Sequence, residues 1–456
     1  MASRTSAWRA GEESASVRFF GGGTGEAPLS WGQQALWQVM RDKHTWLPIG
    51  AWLPLPPGTT VADAAADLRF VMSHYPSLRT RLRFDPDGPT QVVSAEGEID
   101  LEVVDAPDAA DPAAVAERVW RRYQDADYDF AAEWPIRMAV IRHREALTHR
   151  VWVMCHLVTD GTGANVMLAE LRSRDASGSA AADSPLDQAR WQRSPAGQRH
   201  CAGALRHWEQ ILRSVPARRF PPRAERPPSR YWQAAYDSPA IHLAVRTISI
   251  RTGVEAASVL LAVFAVALAR TTGADPVVVQ VVVSNRFRPG LARTVSPVIQ
   301  NGLCAVEVPD ATIDEMVAHT RRRAMAAYKN AYYDPDRRDE LLARVGRERG
   351  EAVDIDCFFN DRRLRQAPGS GPPPTPEQVR AAAGSGSFQW RFKQDFRQFD
   401  QLFVNVDDVP DTVALTVLTD IHRLCPVALE AAIRGMEDIA VAAALDPTTR
   451  TGVPAP

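Results

Sequence analysis

No apolar stretch in this sequence is long enough to cross a bilayer comfortably. The longest, Val254 to Leu268, carries Glu255 and stops before Arg270, and therefore reads as a buried core helix. The opening residues MASRTSAWRAGEE lack the apolar centre of a secretory signal. Neither sign of charge dominates, with 53 Lys and Arg against 55 Asp and Glu. That balance removes the basic footprint of a nucleic-acid binder and the polybasic patch of a membrane-surface protein. Lysine is confined to positions 43, 329 and 393; with the abundant Ala and Pro, this arginine preference reads as compositional bias and not as a device. The five cysteines, Cys155, Cys201, Cys304, Cys357 and Cys425, are odd in number, widely spaced and without a CxxC pair. Reduced thiols in a cytoplasmic protein, with no metal site, are the expectation. No short-period repeat is visible.

What is present is a soluble globular composition, 45% hydrophobic and 24% charged, in a chain long enough for two domains of similar size. Residues 1–27, polar and glycine-rich with a short strand at Val17–Phe20, read as a leader. An N-terminal α/β subdomain is expected over 28–219, a proline-rich linker over 220–232 and a C-terminal α/β subdomain over 233–456. Val61, Ala64, Ala65, Leu68, Val71 and Met72 recur at helical spacing, and this helix is expected to pack on strands near Leu78–Phe84 and Thr90–Val93. Asp111 followed by Pro112 predicts a second helix start. Two strands, Ile136–Arg142 and His149–Cys155, flank the polar segment His143–Thr148. Residues 173–198 read as loop and short helix, followed by a helix over Ala204–Leu212.

In the second half, the helix Val254–Ala269 leads into an apolar strand, Val277–Val283. A strand near Cys304–Val308, the helix Ile313–Lys329 and a strand near Ile355–Asn360 follow. QAPGSGPPPTP (366–376) reads as a flexible loop, and the aromatic-rich stretch Phe388–Phe403 as core and cover. Strands Leu402–Val406 and Val413–Thr419 and a helix Val427–Ala444 close the chain.

The segment Cys155-His156-Leu157-Val158-Thr159-Asp160-Gly161 carries the chemistry. Along the second strand Val151, Val153 and Cys155 share one face, and Arg150, Trp152, Met154 and His156 the other. A histidine leaving a strand end can project into a cleft, and an imidazole titrating near 6.5 suits proton transfer at neutral pH. Asp160 can brace the turn, Gly161 permits close backbone approach, and the following helix presents free N–H groups to a developing oxyanion. By itself the heptapeptide fits a satisfied surface histidine in an ordinary turn as well.

The rest of the chain shifts that balance. Cys155–Gly161 resembles the His-His-x-x-x-Asp-Gly motif of non-ribosomal peptide synthetase condensation domains, with Cys in place of the first His. Ser30–Trp37 (SWGQQALW) resembles the family's Ser-x-Ala-Gln-x-Arg-Leu-Trp opening, from which Gly32 and Ala35 depart. His74–Thr80 (HYPSLRT) is similar to the Arg-His-Glu/Pro-x-Leu-Arg-Thr element. Asn285–Pro289 (NRFRP) resembles Gly-Arg-x-x-Pro, and Ser296–Val308 resembles a weakened Val-Gly-x-Phe-Val-Asn-Thr-Leu element that keeps Asn301 and Leu303. Tyr333-Asp334-Pro335 and Phe358–Arg362 are loosely similar to later elements. The matches run in family order from about residue 28 to 445.

The resemblance implies an α/β fold of two chloramphenicol-acetyltransferase-like subdomains in a V-shaped pseudo-dimer, with a tunnel between them. It implies an acyltransferase that joins a carrier-bound acyl or aminoacyl thioester to an amine in natural-product biosynthesis, with no bound cofactor. The donor rides on the phosphopantetheine of a carrier protein. With no adenylation or carrier domain among these residues, that carrier is expected to act in trans on a free-standing enzyme. The acceptor is an amine or alcohol, free or carrier-bound, and neither nucleic acid nor membrane is a partner. By resemblance, His156 accepts or orients the amine proton, Asp160 pairs with Arg286, and Gly161 places its N–H beside the reacting carbonyl. Asn301 and Asn360 line the tunnel or are buried structural amides. Cys155 is a small buried replacement, or alternatively an acyl-accepting nucleophile with His156 as base. Ester formation on an alcohol, with a carrier or coenzyme A donor, is the alternative within the enzyme class. A condensation-like recruitment platform without catalysis is the alternative outside it.

Overall fold

A computed structural model describes residues 13–175, 182–220, 227, 229–363, 372–394 and 401–453. The chain divides into two units, one running to Arg199 and taking in Ser284–Ile299, the other formed by His200–Val283 and Gln300 onward. Each is an α/β unit with its own core.

The first unit contains β1 (Glu13–Phe20), β2 (Gly25–Pro28), α1 (Trp31–Lys43), β3 (Pro48–Pro54), α2 (Val61–His74), β4 (Thr80–Asp85), β5 (Gly88–Val93) and β6 (Glu96–Asp105). It continues with α3 (Pro112–Asp125), β7 (Ile136–His143), β8 (Ala146–Cys155), α4 (Gly161–Ser173) and α5 (Pro185–Arg193). Strands β1-β6-β7-β8-β3 form a five-stranded sheet in that order, and β2-β5-β4 a three-stranded one. The β7–β8 hairpin turns through Arg144 and Glu145, with φ of 49° and 65°, the left-handed pair that a two-residue turn between right-twisted strands requires. Both faces of the five-stranded sheet are buried. Trp152 and Met154 join one cluster, and Val151, Val153 and Cys155 the other, as strand alternation dictates.

Helix α6 (Pro195–Ser214) carries the boundary at Arg199. The second unit follows with β9 (Tyr231–Ser238), α7 (Pro239–Thr252), α8 (Ala256–Thr272), β10 (Val277–Val283), β11 (Gln300–Val306), α9 (Ile313–Lys329) and α10 (Pro335–Arg349). Last come β12 (Cys357–Asp361), α11 (Pro376–Ala382), β13 (Ser387–Gln394), β14 (Leu402–Asp407), β15 (Val413–Asp420) and α12 (Pro426–Leu445). The seven-stranded sheet runs β11-β10-β12-β14-β15-β9-β13. Helix α8 is buried on every side from Ser258 to Ala269, because it is apolar all round. Each fully buried Val, Leu or Phe there contributes about 1.5–3 kcal/mol. Strand β10 holds one polar side chain, Gln280, whose amide donates to the Ile355 carbonyl at 3.1 Å. Among the described residues no single helix is long and apolar enough to cross a membrane.

Four expectations need correction. The leader through residue 27 contains β1 and β2; Val17 and Phe19 of β1 are fully buried against α2, so the first unit's sheet begins at Glu13. Helix α2 packs through Ala64, Leu68, Val71 and Met72 onto β1 and β6, whereas β4 and β5 pair with β2 in the separate small sheet. The helix expected over Ala204–Leu212 starts earlier, at Pro195, so that residues 173–198 hold the start of α6 besides the expected short helix, α5, which the Ser184–Asp187 capping box begins. The compact units meet within α6 and not at 220, and Ser284–Ile299 belongs to the first. Of the expected linker, residues 221–226 and 228 lie outside the described residues, as do 366–371 of the expected loop and 395–400 of the aromatic-rich stretch.

Candidate active site

The site starts where β8 ends. Cys155 is the last residue on the sheet and is 1% exposed; its thiol faces the Trp46 carbonyl oxygen at 3.5 Å. Burial pushes this thiol up to about 12, so it is protonated at neutral pH. His156 leaves the strand, donating its backbone N–H to the Leu47 carbonyl at 3.2 Å, and the Val158 N–H closes the turn onto the Cys155 carbonyl at 3.1 Å.

The His156 ring is partly exposed, and its Nδ1 lies 2.8 Å from the Thr159 carbonyl oxygen. A carbonyl only accepts, so Nδ1 carries the proton and the neutral ring keeps its lone pair on Nε2. The turn thereby selects the tautomer that can take a proton from a substrate.

Asp160 is the N-cap of α4, and its Oδ1 accepts the Gly163 N–H at 2.8 Å. The same carboxylate receives Arg286 Nη1 on Oδ2 at 2.8 Å and Nη2 on Oδ1 at 2.7 Å, and the Val298 N–H on Oδ2 at 3.2 Å. Three hydrogen-bond donors and a further ion-pair contact occupy both oxygens of the carboxylate, which marks Asp160 as a bracing group. Arg286 also reaches the Thr294 and Ser296 carbonyls, at 3.1 Å and 3.3 Å, and so knots the segment 284–299.

Three glycine positions have different reasons. A Cβ on Gly161 would meet nothing within 4 Å, whereas one on Gly163 would lie 2.6 Å from Thr159 Oγ1 and 3.2 Å from Arg286 Nη2. A Cβ on Gly32 would lie 2.1 Å from the Pro297 carbonyl, so α1 approaches the segment beside Val298 at backbone distance. Asn285, which stands where the resembling motif has glycine, has φ 55° and donates its side-chain amide to the Val298 carbonyl at 3.0 Å. Asparagine is the non-glycine residue that tolerates this left-handed conformation best.

The remaining motif residues are structural. Ser30 and Gln33 form a capping box at the start of α1, with Gln33 fully buried. Arg79, also fully buried, donates to the carbonyls of Gly21, Gly22 and Ser94 and ties the chain after β1 to the strand edge. Thr159, Leu47 and Val298 act through backbone atoms that no side-chain pattern reveals.

The first unit thus brings together Cys155, His156, Asp160, Gly161 and Arg286. Asn301 and Asn360 belong to the second. Asn301 lies on β11, with the Tyr333 hydroxyl donating to its carbonyl at 2.8 Å; Asn360 on β12 donates its amide to Asn405 Oδ1 at 2.9 Å. Among the described residues no group of three His, Cys, Asp or Glu side chains is placed to hold a metal ion.

A family model described as "Condensation domain" matches residues 24–355. The isonitrile lipopeptide synthase of Mycobacterium tuberculosis is 28% identical over 339 residues. That match covers 66% of this chain but only 13% of the synthase, so the chain spans a small part of that protein. Among solved structures, the condensation domain of the Monacolin K polyketide synthase MokA superposes with a TM-score of 0.72 at 17% identity, covering 94% of this chain and 99% of that one. The structure described as the molecular basis for condensation domain-mediated chain release from the enacyloxin polyketide synthase gives 0.70 at 20% identity, covering 94% and 84%. These superpositions establish the mixed α/β, chloramphenicol-acetyltransferase-like fold that condensation domains share.

Proposed function

The chain belongs to the condensation-domain family, and from that membership and the geometry at His156 we propose that it forms an amide between a carrier-tethered acyl or aminoacyl group and an amine acceptor. The family consists of acyltransferases of natural-product assembly that use phosphopantetheine-borne substrates. One observation carries the reading for this chain: the Thr159 carbonyl holds the proton on His156 Nδ1, which leaves Nε2 as acceptor.

In the proposed step, the amine lone pair attacks the thioester carbonyl carbon and a tetrahedral oxyanion forms. The amine proton passes to His156 Nε2, or is oriented by it. The C–N bond is kept, the C–S bond breaks, and the pantetheine thiolate leaves and is reprotonated. The Gly161 and Thr162 amides, in the first helical turn and without a carbonyl four residues back, supply donors toward negative charge. Asp160 and Arg286 hold that turn and helix. Alignment of two bound reactants supplies the largest share of the acceleration. Asn301 and Asn360 contact substrate. Cys155, protonated and buried on the far face from His156, is a packing residue and not an acyl acceptor.

The test is intact-protein mass spectrometry of a loaded carrier mixed with this protein and a pool of amines and alcohols, with a coenzyme A thioester as a parallel donor. Loss of the acyl mass only when an amine is present is the expected result, and it disappears with His156→Ala. Loss only with alcohols moves the reaction to ester formation. No loss with any donor, combined with equal carrier binding by wild type and His156→Ala, turns the protein into a recruitment platform.

A further inference from the structure

A non-glycine residue with positive φ needs a local reason, and most of those described here have one. His44 and Arg174 end helices α1 and α4, Arg144 and Glu145 make the β7–β8 turn, and Asn285 and Asp411 are of the two types that tolerate the left-handed region. Leu47, with φ 46°, fits none of these. Its side chain is bulky, and the ring of Pro48 after it narrows its backbone freedom further. A leucine in this conformation is strained, and such strain persists only where the surroundings over-determine it.

The surroundings do so from both sides. Thr45 Oγ1 accepts the Leu47 N–H at 3.1 Å, and the Thr45 N–H donates to the Met40 carbonyl at 3.1 Å, so the residue hangs from the end of α1. Trp46 stacks on Tyr128 at 5.1 Å and 21°, with the Arg137 guanidinium 4.8 Å from its ring. The half-buried Leu47 side chain packs against the core cluster that contains Cys155 and Leu157. Pro48 then enters β3 opposite Cys155, and the β3–β8 register stops at that pair. His156 therefore lies one residue beyond the ladder, and its N–H goes to the Leu47 carbonyl at 3.2 Å. From that anchored backbone the imidazole turns back to the Thr159 carbonyl, which sets its tautomer.

We infer that Leu47 is a positioning residue for His156. Its left-handed backbone, locked by side-chain packing, aims its carbonyl at the His156 N–H and so maintains the contact between Nδ1 and Thr159. Glycine would take this φ without strain, but without a side chain to hold it there. The inference rests on the transferase reading and deepens it, since the tautomer serves catalysis only where Nε2 takes a substrate proton.

The test reads the His156 ring by nitrogen NMR of labelled protein, at a pH where the ring is neutral, with the signals assigned through their loss in His156→Gln. Protonated and unprotonated ring nitrogens give well separated signals. Leu47→Gly and Leu47→Ala remove the same packing, but only alanine resists the left-handed backbone. Wild type and Leu47→Gly are expected to keep the proton on Nδ1, and Leu47→Ala to move the ratio roughly fivefold toward Nε2. Turnover should fall further in Leu47→Ala than in Leu47→Gly. A residue that only packs predicts no change of tautomer, and a lower melt for Leu47→Gly because glycine frees the unfolded chain. The inference is overturned if Leu47→Ala keeps the wild-type tautomer, if Leu47→Gly loses it equally, or if Leu47→Gly fails to fold. Failure of Leu47→Ala alone to fold supports it. The tautomer is read without turnover, so the expected pattern in a protein that transfers to no acceptor sinks the transferase reading alone.

Discussion

Arg286 and Asp160 face each other through a charge-assisted hydrogen bond at 2.8 Å and a second ion-pair contact at 2.7 Å, with their side chains 8% and 4% exposed. Because Asp160 also caps α4, one carboxylate joins the helix, the His156 turn and the segment 284–299. Asp160→Ala leaves a buried guanidinium unpaired and removes the cap, and it is expected to cost about 3–5 kcal/mol. Urea denaturation measures this. An unchanged midpoint would show that the pair does not hold the site together.

The two glycines give opposite results. Gly32→Ala drives a methyl into the Pro297 carbonyl, 2.1 Å away, and must displace the segment that carries Val298. We expect it to lower the melting temperature by several degrees and activity with it. Gly161→Ala meets nothing within 4 Å and is expected to melt like wild type. Its turnover should nevertheless fall by at least about tenfold, because the proposed mechanism puts the reacting carbonyl in that space. Full turnover of Gly161→Ala would remove Gly161 from the site.

Burial holds the Cys155 thiol near about 12, so the native protein is expected to resist iodoacetamide at that residue at pH 8, and the urea-unfolded protein to react. Peptide mass spectrometry reads both. Cys155→Ser is expected to cost about 1–3 kcal/mol for a buried hydroxyl and to leave turnover within a few-fold. Abolished turnover in a folded Cys155→Ser protein would reinstate the nucleophile.

Hydrogen bonds from Arg344 and Arg213 hold the Glu209 carboxyl at about 2, below its ordinary 4.5. A depressed carboxyl contributes stability above its unfolded value and loses it as pH falls toward the folded one. Relative to wild type, Glu209→Gln should therefore be slightly less stable at pH 7, with the gap closing between about pH 4.5 and 2. The gap should also shrink in 1 M salt, since these groups are partly exposed to solvent. A gap that widens on acidification would contradict the assignment.

Residues whose chemistry is local were readable one by one. The all-apolar α8, the Asp111-Pro112 start of α3 and the 313–329 helix announce themselves through periodicity and caps within a few residues. The motif around His156 was legible for the same reason, since strand end, N-cap and glycine lie within seven residues. Helix α10 was missed because it buries little beyond Pro335, Leu341 and Val345, leaving almost no apolar stripe to see. Strand β1 was read only in part, since alternation in a glycine-rich leader does not say which strand will pair with it.

The sequence alone determined the family and the two-part α/β plan and singled out the imidazole at 156, because these rest on ordered motifs and on patterns a few residues long. Only the tertiary structure decided what the motifs do to one another. The Thr159 carbonyl sets the His156 tautomer, Arg286 reaches Asp160 across more than a hundred residues, and Asn405 comes to lie beside Asn360. Those relationships run through backbone atoms and through contacts distant along the chain, where side-chain spacing carries no record of them.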